Sequence, residues 1–136
     1  MSDALTVRFT KGDLVSGKIM DAGWKLALLA DIFEDVSKTG KEGFVADFRI
    51  VSPTKYTDVE VRCWYYDKMG MAALSRMLSA VTGVEVKDNV DYNVKSVVGK
   101  QLKIYTEQKA NPSSGAPMNQ VNDYTSVNDE RATVRD

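Results

Sequence analysis

In two neighbouring segments of the chain, residues 42–53 and 57–67, an apolar residue recurs at every second position. A period of two is typical of β-strands, because successive side chains of a strand point to opposite faces. Turn-forming residues around Pro53 separate the two segments, which therefore predict a pair of antiparallel strands, each buried on one face. In the first strand, the side chains expected inside are Phe44, Ala46, Phe48 and Ile50, and those expected outside are Val45, Asp47, Arg49 and Val51.

The second of these segments contains three consecutive aromatic residues, Trp64, Tyr65 and Tyr66. Neighbouring residues of a strand face opposite ways, so the three rings cannot all enter one core. At least one ring is therefore expected on the outer surface. The alternation predicts an inner set of Val59, Val61, Cys63 and Tyr65 and an outer set of Glu60, Arg62, Trp64 and Tyr66.

The remaining elements follow from periodicity and from turn residues. Further strands are predicted over residues 23–36, 100–109 and 119–127. A helix is predicted over residues 68–83, which ends at Gly83 and repeats apolar residues at helical spacing. Its expected buried residues are Met71, Leu74, Leu78 and Val81. Residues 90–98 are expected to add a second, shorter helix.

Three strands, a helix and two more strands are the element order of an OB barrel. The predicted fold class is mainly β, a five-stranded OB-type barrel with one main helix between strands 3 and 4; an unspecified α+β sandwich shares the order and remains open. A chain of 136 residues with 43% hydrophobic residues suits one domain. The expected organisation is an N-terminal arm or edge strand over residues 1–22, the OB-type domain over 23–127 and a polar tail over 128–136.

The amino-acid composition excludes several kinds of functional site. The chain has one cysteine and no histidine, so an internal disulfide, the common zinc ligand sets and Ser-His or Cys-His nucleophiles are excluded. The sequence has neither a long apolar run nor a secretory leader pattern, so we expect no membrane association and a cytoplasmic location. The net charge of −1 means that attraction to nucleic acid would need locally clustered cations.

The outer residues of the predicted strands have the chemistry that single-stranded nucleic acid needs, namely rings for stacking and cations for phosphates. The sequence therefore predicts a sequence-tolerant single-stranded DNA-binding surface without a cofactor. RNA would use the same chemistry. Alternatively, the outer rings are covered by the N-terminal arm, by a partner or by a second copy. The candidate DNA-binding residues are Arg49, Arg62, Trp64, Tyr66, Lys103 and Tyr105, helped by the loop lysines Lys38, Lys41 and Lys55.

A carboxylate-based metal nuclease is the main enzymatic alternative. Oxygen ligands for Mg²⁺ are present in Asp31, Glu34, Asp35, Glu42 and Asp47. Their spacing is not distinctive, and acidic residues beside turns are common. The chain is therefore expected not to be an enzyme and not to hold a metal.

In layout, the chain resembles the small phage-encoded single-stranded DNA-binding proteins that have an OB fold. The likeness covers about residues 20–127 and rests on the segments 21–24, 37–40, 80–83, 98–100 and 119–124. It implies action in phage DNA replication or recombination in the host cell cytoplasm, and self-association, with a dimer favoured. One departure is the C-terminus, which is mixed in charge where many single-strand binders end in an acidic tail.

Overall fold

The computed structural model describes residues 5–9 and 18–135, and contains five strands and one α-helix. The strands are β1 (Gly23–Val36), β2 (Glu42–Ser52), β3 (Glu60–Tyr66), β4 (Gln101–Ala110) and β5 (Pro117–Thr125). Helix α1 (Asp67–Thr82) lies between β3 and β4, and 3₁₀ turns occupy Thr54–Tyr56 and Val94–Val97. The mainly β class and the single main helix are confirmed, whereas the second predicted helix is only the four-residue turn Val94–Val97.

The five strands form one antiparallel sheet in the order β3-β2-β1-β4-β5. Within the described residues no hydrogen-bonded ladder joins β3 to β5, so the sheet is open and the closed barrel stays a prediction. Helix α1 lies against both edge strands. It therefore covers the end of the sheet where its two edges approach each other.

The predicted faces of β2 and β3 are confirmed. Ala46, Phe48 and Ile50 are buried in the core, with Phe44 packed at its margin. Val59, Val61 and Tyr65 are also buried there, and Cys63 packs against them. This agreement follows from the period of two, which ties each residue's face to its place in the strand.

Helix α1 meets the core through one apolar stripe, as its spacing predicts. Leu74, Leu78 and Val81 are buried, and Gly83 ends the helix in the left-handed conformation (φ 75°). The prediction for Met71 is wrong, because its side chain is exposed and Met77 is buried instead. Met71 lies in the first turns, where the helix has just left the edge of β3.

Two terminal regions lie outside the sheet. Residues 5–9 have no regular secondary structure, and Leu5, Val7 and Phe9 are exposed. Much of the predicted N-terminal arm, residues 1–4 and 10–17, lies outside the described residues. At the other end, Val134 forms a parallel bridge to Trp24, and Ala132 is buried. The predicted polar tail therefore packs on the sheet. No helix among the described residues is long and apolar enough to cross a membrane.

Candidate nucleic-acid interface

The outer face of the sheet carries an apolar row that crosses three strands. Phe33 of β1 is the register partner of Val45 of β2, which is in turn the partner of Trp64 of β3. Val45 is only 2% exposed although it does not belong to the core cluster, so its neighbours on the outer face cover it. Trp64, at the end of the row, is 51% exposed. We call Phe33, Val45 and Trp64 the outer apolar row.

Arg62 lies beside this row, whereas Arg49 lies four residues along β2 from Val45, and each arginine has an acidic partner. Arg62 donates from Nε and Nη2 to the two carboxylate oxygens of Asp47, at 2.7 and 3.0 Å, and its guanidinium lies 5.6 Å from the ring centre of Phe33. The Asp47 hydrogen bond raises the pKa of Arg62. Arg49 is 3.8 Å from Glu60. The Arg49–Glu60 pair is exposed on both sides, and such pairs contribute about 0 to 1 kcal/mol, so a phosphate can replace this carboxylate at little cost. The Arg62–Asp47 pair is bidentate and Asp47 is only 25% exposed, so this pair is the stronger of the two.

Tyr66 lies at the far end of β3, where the sheet meets the β1–β2 turn. Its hydroxyl donates to Asp35 at 2.5 Å, and this hydrogen bond raises the pKa of Tyr66. Nearby in the chain, Lys41 pairs with Asp67 at 3.0 Å, and Lys38 is exposed in the turn. The Tyr66 ring is half-buried, so it offers less stacking surface than Trp64.

The structure separates the other candidate residues from Trp64. Lys103 pairs in register with Leu26, seven residues along β1 from Phe33, which is roughly 20 Å at the rise of a strand. Its ammonium donates to the carbonyls of Asp129 and Ala132, both at 2.8 Å, and so anchors the C-terminal tail. Tyr105 packs edge-on to Trp24, with ring centres 5.4 Å apart.

Lys55 lies in the turn Thr54–Tyr56, which follows β2. Its ammonium is 3.7 Å from Asp21 and 5.0 Å from the ring centre of Tyr56. Lys55, Lys103 and Tyr105 therefore form a second region, and the structure does not bring them together with Trp64.

A groove of about 460 Å³ runs between the facing edges β3 and β5, beside Trp64. Arg62 and Trp64 line one side, and Lys109 and Met118 of the β4–β5 hairpin line the other. Lys109 is exposed and has no ion pair within residues 5–9 and 18–135. Sequence patterns do not indicate this wall, since it depends on how closely the hairpin approaches β3.

The floor of the groove is a polar cluster in which Tyr65 is buried and Cys63 and Tyr124 are partly buried, with the Cys63 thiol itself desolvated. The two tyrosine hydroxyls are 2.6 Å apart. Burial raises the pKa of Cys63 to about 11, and burial also raises the pKa of both tyrosines. All three groups are therefore neutral at physiological pH, and the floor supplies neither a thiolate nor a counter-charge.

The acidic residues of the nuclease alternative do not converge as metal ligands, although Glu34, Asp35 and Glu42 line one pocket at the β1–β2 hairpin. Asp31 pairs with Lys95, Asp35 accepts from Tyr66, and Asp47 accepts from Arg62. No group of three or more metal-ligating side chains occurs in the part of the chain that the structure describes. The lysine also lowers the pKa of Asp31, which keeps that carboxylate ionised and paired.

A comparison with models of known protein families finds no match, and a comparison with curated proteins finds no relative. The resemblance to phage single-stranded DNA-binding proteins therefore stays a prediction from the sequence. What the chain binds is inferred from the geometry of the outer face and the groove.

Proposed function

We propose that the chain binds single-stranded DNA, with little sequence preference, on the outer face of β3 and in the adjoining groove. The observation that carries the proposal is the half-exposed indole of Trp64, held at the end of the outer apolar row beside the guanidinium of Arg62. An indole face stacks on any base, contributing about 1 to 3 kcal/mol per base. Val45, the cross-strand partner of Trp64, is 2% exposed, so the indole lies on a packed part of the sheet and not on a loop.

The charges around Trp64 suit a phosphate backbone. Arg49 can exchange its carboxylate partner for a phosphate, and Arg62 has further N–H groups beyond the two that donate to Asp47. Lys109 on the opposite wall of the groove and Lys38 in the β1–β2 turn add two further exposed cations. The proposed interface therefore comprises Arg49, Arg62, Trp64, Tyr66, Lys38, Lys41 and Lys109.

The strand order, with the helix between β3 and β4, supports an OB-type arrangement in which β3 and β5 are the edges that would close a barrel. In such folds, single strands bind across the face of strands 2 and 3. Trp64 and Arg62 of this chain lie on that face. Together with the resemblance in layout, this supports a role in phage DNA replication or recombination in the host cytoplasm.

The proposal predicts the effect of removing the indole. Trp64→Ala should weaken binding of labelled oligo-dT by about 1 to 3 kcal/mol, or about 5- to 150-fold in Kd, because one stacked base loses its platform. Anisotropy titrations at several salt concentrations measure both Kd and its salt dependence. Affinity of the unsubstituted protein should fall as salt rises, because phosphate contacts release counterions.

Tyr92→Ala is the matched control, since Tyr92 is also an exposed aromatic residue but lies in the loop before the turn Val94–Val97. Its Kd should equal that of the unsubstituted protein. The proposal is contradicted if Trp64→Ala and Tyr92→Ala bind oligo-dT equally well, or if oligo-dT does not bind at all.

A second candidate function is a protein-interaction or assembly module. The observation that favours it is the exposure of Leu5, Val7 and Phe9, which alternate in sequence as those of an edge strand would and have no regular secondary structure. A dimer in which these residues, or the face around Trp64, are buried against a second copy fits this feature. Light scattering with and without oligo-dT separates the candidates, because a stable oligomer indifferent to DNA favours assembly.

A further inference from the structure

Three lysines surround one aromatic ring at the end of the sheet opposite the β1–β2 turn. The ammonium groups of Lys18, Lys25 and Lys55 lie 5.4, 5.7 and 5.0 Å from the ring centre of Tyr56. The single carboxylate that pairs with any of them within the described residues is Asp21, 3.7 Å from Lys55. Positive charge is therefore concentrated here in a chain whose net charge is −1.

Lys25 is the unusual member of this group, because it is only 3% exposed. Its ammonium donates to the carbonyls of Asp21 and Gly23, at 2.8 and 3.1 Å, and forms no ion pair within residues 5–9 and 18–135. The carboxylate of Asp21 acts on Lys25 from a distance, but it does not pair directly with the ammonium. An ammonium has three N–H groups, so one remains for an anion. Desolvation lowers the pKa of Lys25, as expected for a buried cation, and the charge of Asp21 offsets part of this shift.

A cavity of about 430 Å³ lies against Lys25, and its lining contains four cationic side chains and one carboxylate. Lys25 and Lys55 come from the sheet end, whereas Arg131 and Arg135 come from the C-terminal tail that bridges to Trp24. Arg131 is paired with Asp129 at 3.1 Å, just outside this lining. The edge-on pair of Trp24 and Tyr105 forms an aromatic wall.

We propose that this cavity binds the phosphate group of a nucleotide, with Lys25, Lys55 and the tail arginines on the phosphate and Trp24 beside the base. Lysine and arginine form strong charge-assisted hydrogen bonds to phosphate, and arginine can do so with two N–H groups at once. The cavity volume is within the usual range of small-ligand sites. The nucleotide is either free or the phosphorylated end of a DNA strand.

This site is separate from the surface around Trp64, and it does not require the DNA-binding proposal to hold. It also gives the C-terminal tail a function. Lys103 fixes the tail through two backbone carbonyls, and the residues on either side of Ala132 then bring their guanidinium groups to the cavity.

The test uses Trp64→Phe, in which Trp24 is the single tryptophan and reports on the cavity alone. Thymidine monophosphate (dTMP) should quench this fluorescence with saturation, whereas thymidine, which lacks the phosphate, should bind at least about tenfold more weakly. Inorganic phosphate should compete with dTMP. A failure of dTMP to bind, or equal binding of dTMP and thymidine, would overturn the proposal.

Substitutions that remove positive charges identify the residues that bind the phosphate. In the Trp64→Phe background, Lys25→Met and the double variant Arg131→Gln/Arg135→Gln should each weaken dTMP by about tenfold or more. The double variant alters only exposed side chains, so it remains informative if Lys25→Met does not fold. Lys87→Gln, an exposed lysine in the loop after α1, should change nothing. Equal effects of the double variant and Lys87→Gln would contradict the assignment.

Two oligonucleotides then separate the possible sources of the phosphate. A 5′-phosphorylated oligo-dT that competes with dTMP better than its unphosphorylated form indicates a strand end, whereas equal competition by the two indicates a free nucleotide. Oligo-dT affinity measured with Trp64→Ala reports on β3 independently. If Trp64→Ala does not weaken oligo-dT binding but dTMP still binds the cavity, the proposed function is wrong and the phosphate site is retained.

Discussion

At the scale of single residues, the face of each aromatic ring in β3 follows from its place in the sequence. Trp64 is half-exposed and Tyr65 is 2% exposed, as strict alternation requires. The partners of the charged residues were not predictable in the same way. Arg62 meets Asp47 because the β2–β3 register places them opposite each other, and that register depends on the turn around Pro53.

The buried Cys63 predicts how stability changes in alkaline solution. Its thiol ionises near pH 9.0 in an unfolded chain but only near 11 when buried. Above pH 9 the unfolded chain therefore loses a proton that the folded chain keeps, so the free energy of unfolding falls as pH rises through this window. The thiol should account for a loss of about 2 kcal/mol between pH 9 and 11.

Urea unfolding of the unsubstituted protein and of Cys63→Ala, at about pH 8 and about pH 11, measures this contribution. Cys63→Ala should lose less stability over the interval, because it lacks the thiol and also lacks the Cys63 charge that raises the pKa of Tyr65 and Tyr124. Identical losses in the two proteins would show that the thiol is not protected by burial.

At the scale of elements, the strands and α1 were predictable because each has one buried face and therefore a clear period. How closely these elements pack against one another was not predictable from the sequence. Gly70, in the first turn of α1, lies against the backbone of Tyr65 so tightly that an added Cβ would be 2.6 Å from its carbonyl carbon. From the sequence alone, Gly70 resembles any glycine in a helix, which alanine would improve.

Gly70→Ala should therefore destabilise the protein, whereas helix propensity alone predicts a gain of about 1 kcal/mol. The clash involves backbone atoms that cannot rotate away, so we expect a loss of about 1 to 3 kcal/mol in chemical denaturation. Met69→Ala, at an exposed neighbouring position, is the control and should be close to neutral. A more stable Gly70→Ala protein would mean that α1 is not pressed against β3.

At the scale of the whole molecule, the sequence predicted the order of the elements but neither the groove nor the docked tail. Both depend on contacts between distant segments. Residues 128–136 have no apolar period, but Lys103 binds the carbonyls of Asp129 and Ala132, Val134 bridges to Trp24, and Ala132 is buried. The sheet brings Lys109 to the groove and keeps Lys103 away from it, although both lysines lie on β4.

These two lysines should therefore have opposite roles. Lys103→Met should lower the free energy of unfolding by about 1 to 3 kcal/mol, because the tail loses two charge-assisted hydrogen bonds, and should leave oligo-dT affinity unchanged. Lys109→Met should leave stability unchanged and weaken oligo-dT, with the salt dependence of log Kd reduced by about 0.7. Thermal or urea unfolding and anisotropy titrations measure the two effects. If Lys103→Met weakened oligo-dT binding and Lys109→Met did not, the DNA would bind near Lys103 and not in the groove.

The central claim is that a DNA strand lies on Trp64, and photo-crosslinking tests it most directly. Oligo-dT containing 4-thiothymidine is bound to the protein and irradiated, and the tryptic peptides that carry nucleotide are identified by mass spectrometry. Cleavage after Arg62 and Lys68 releases residues 63–68 as one peptide. We expect the main adduct in this peptide; adducts confined to other peptides, or none at saturating DNA, would contradict the account.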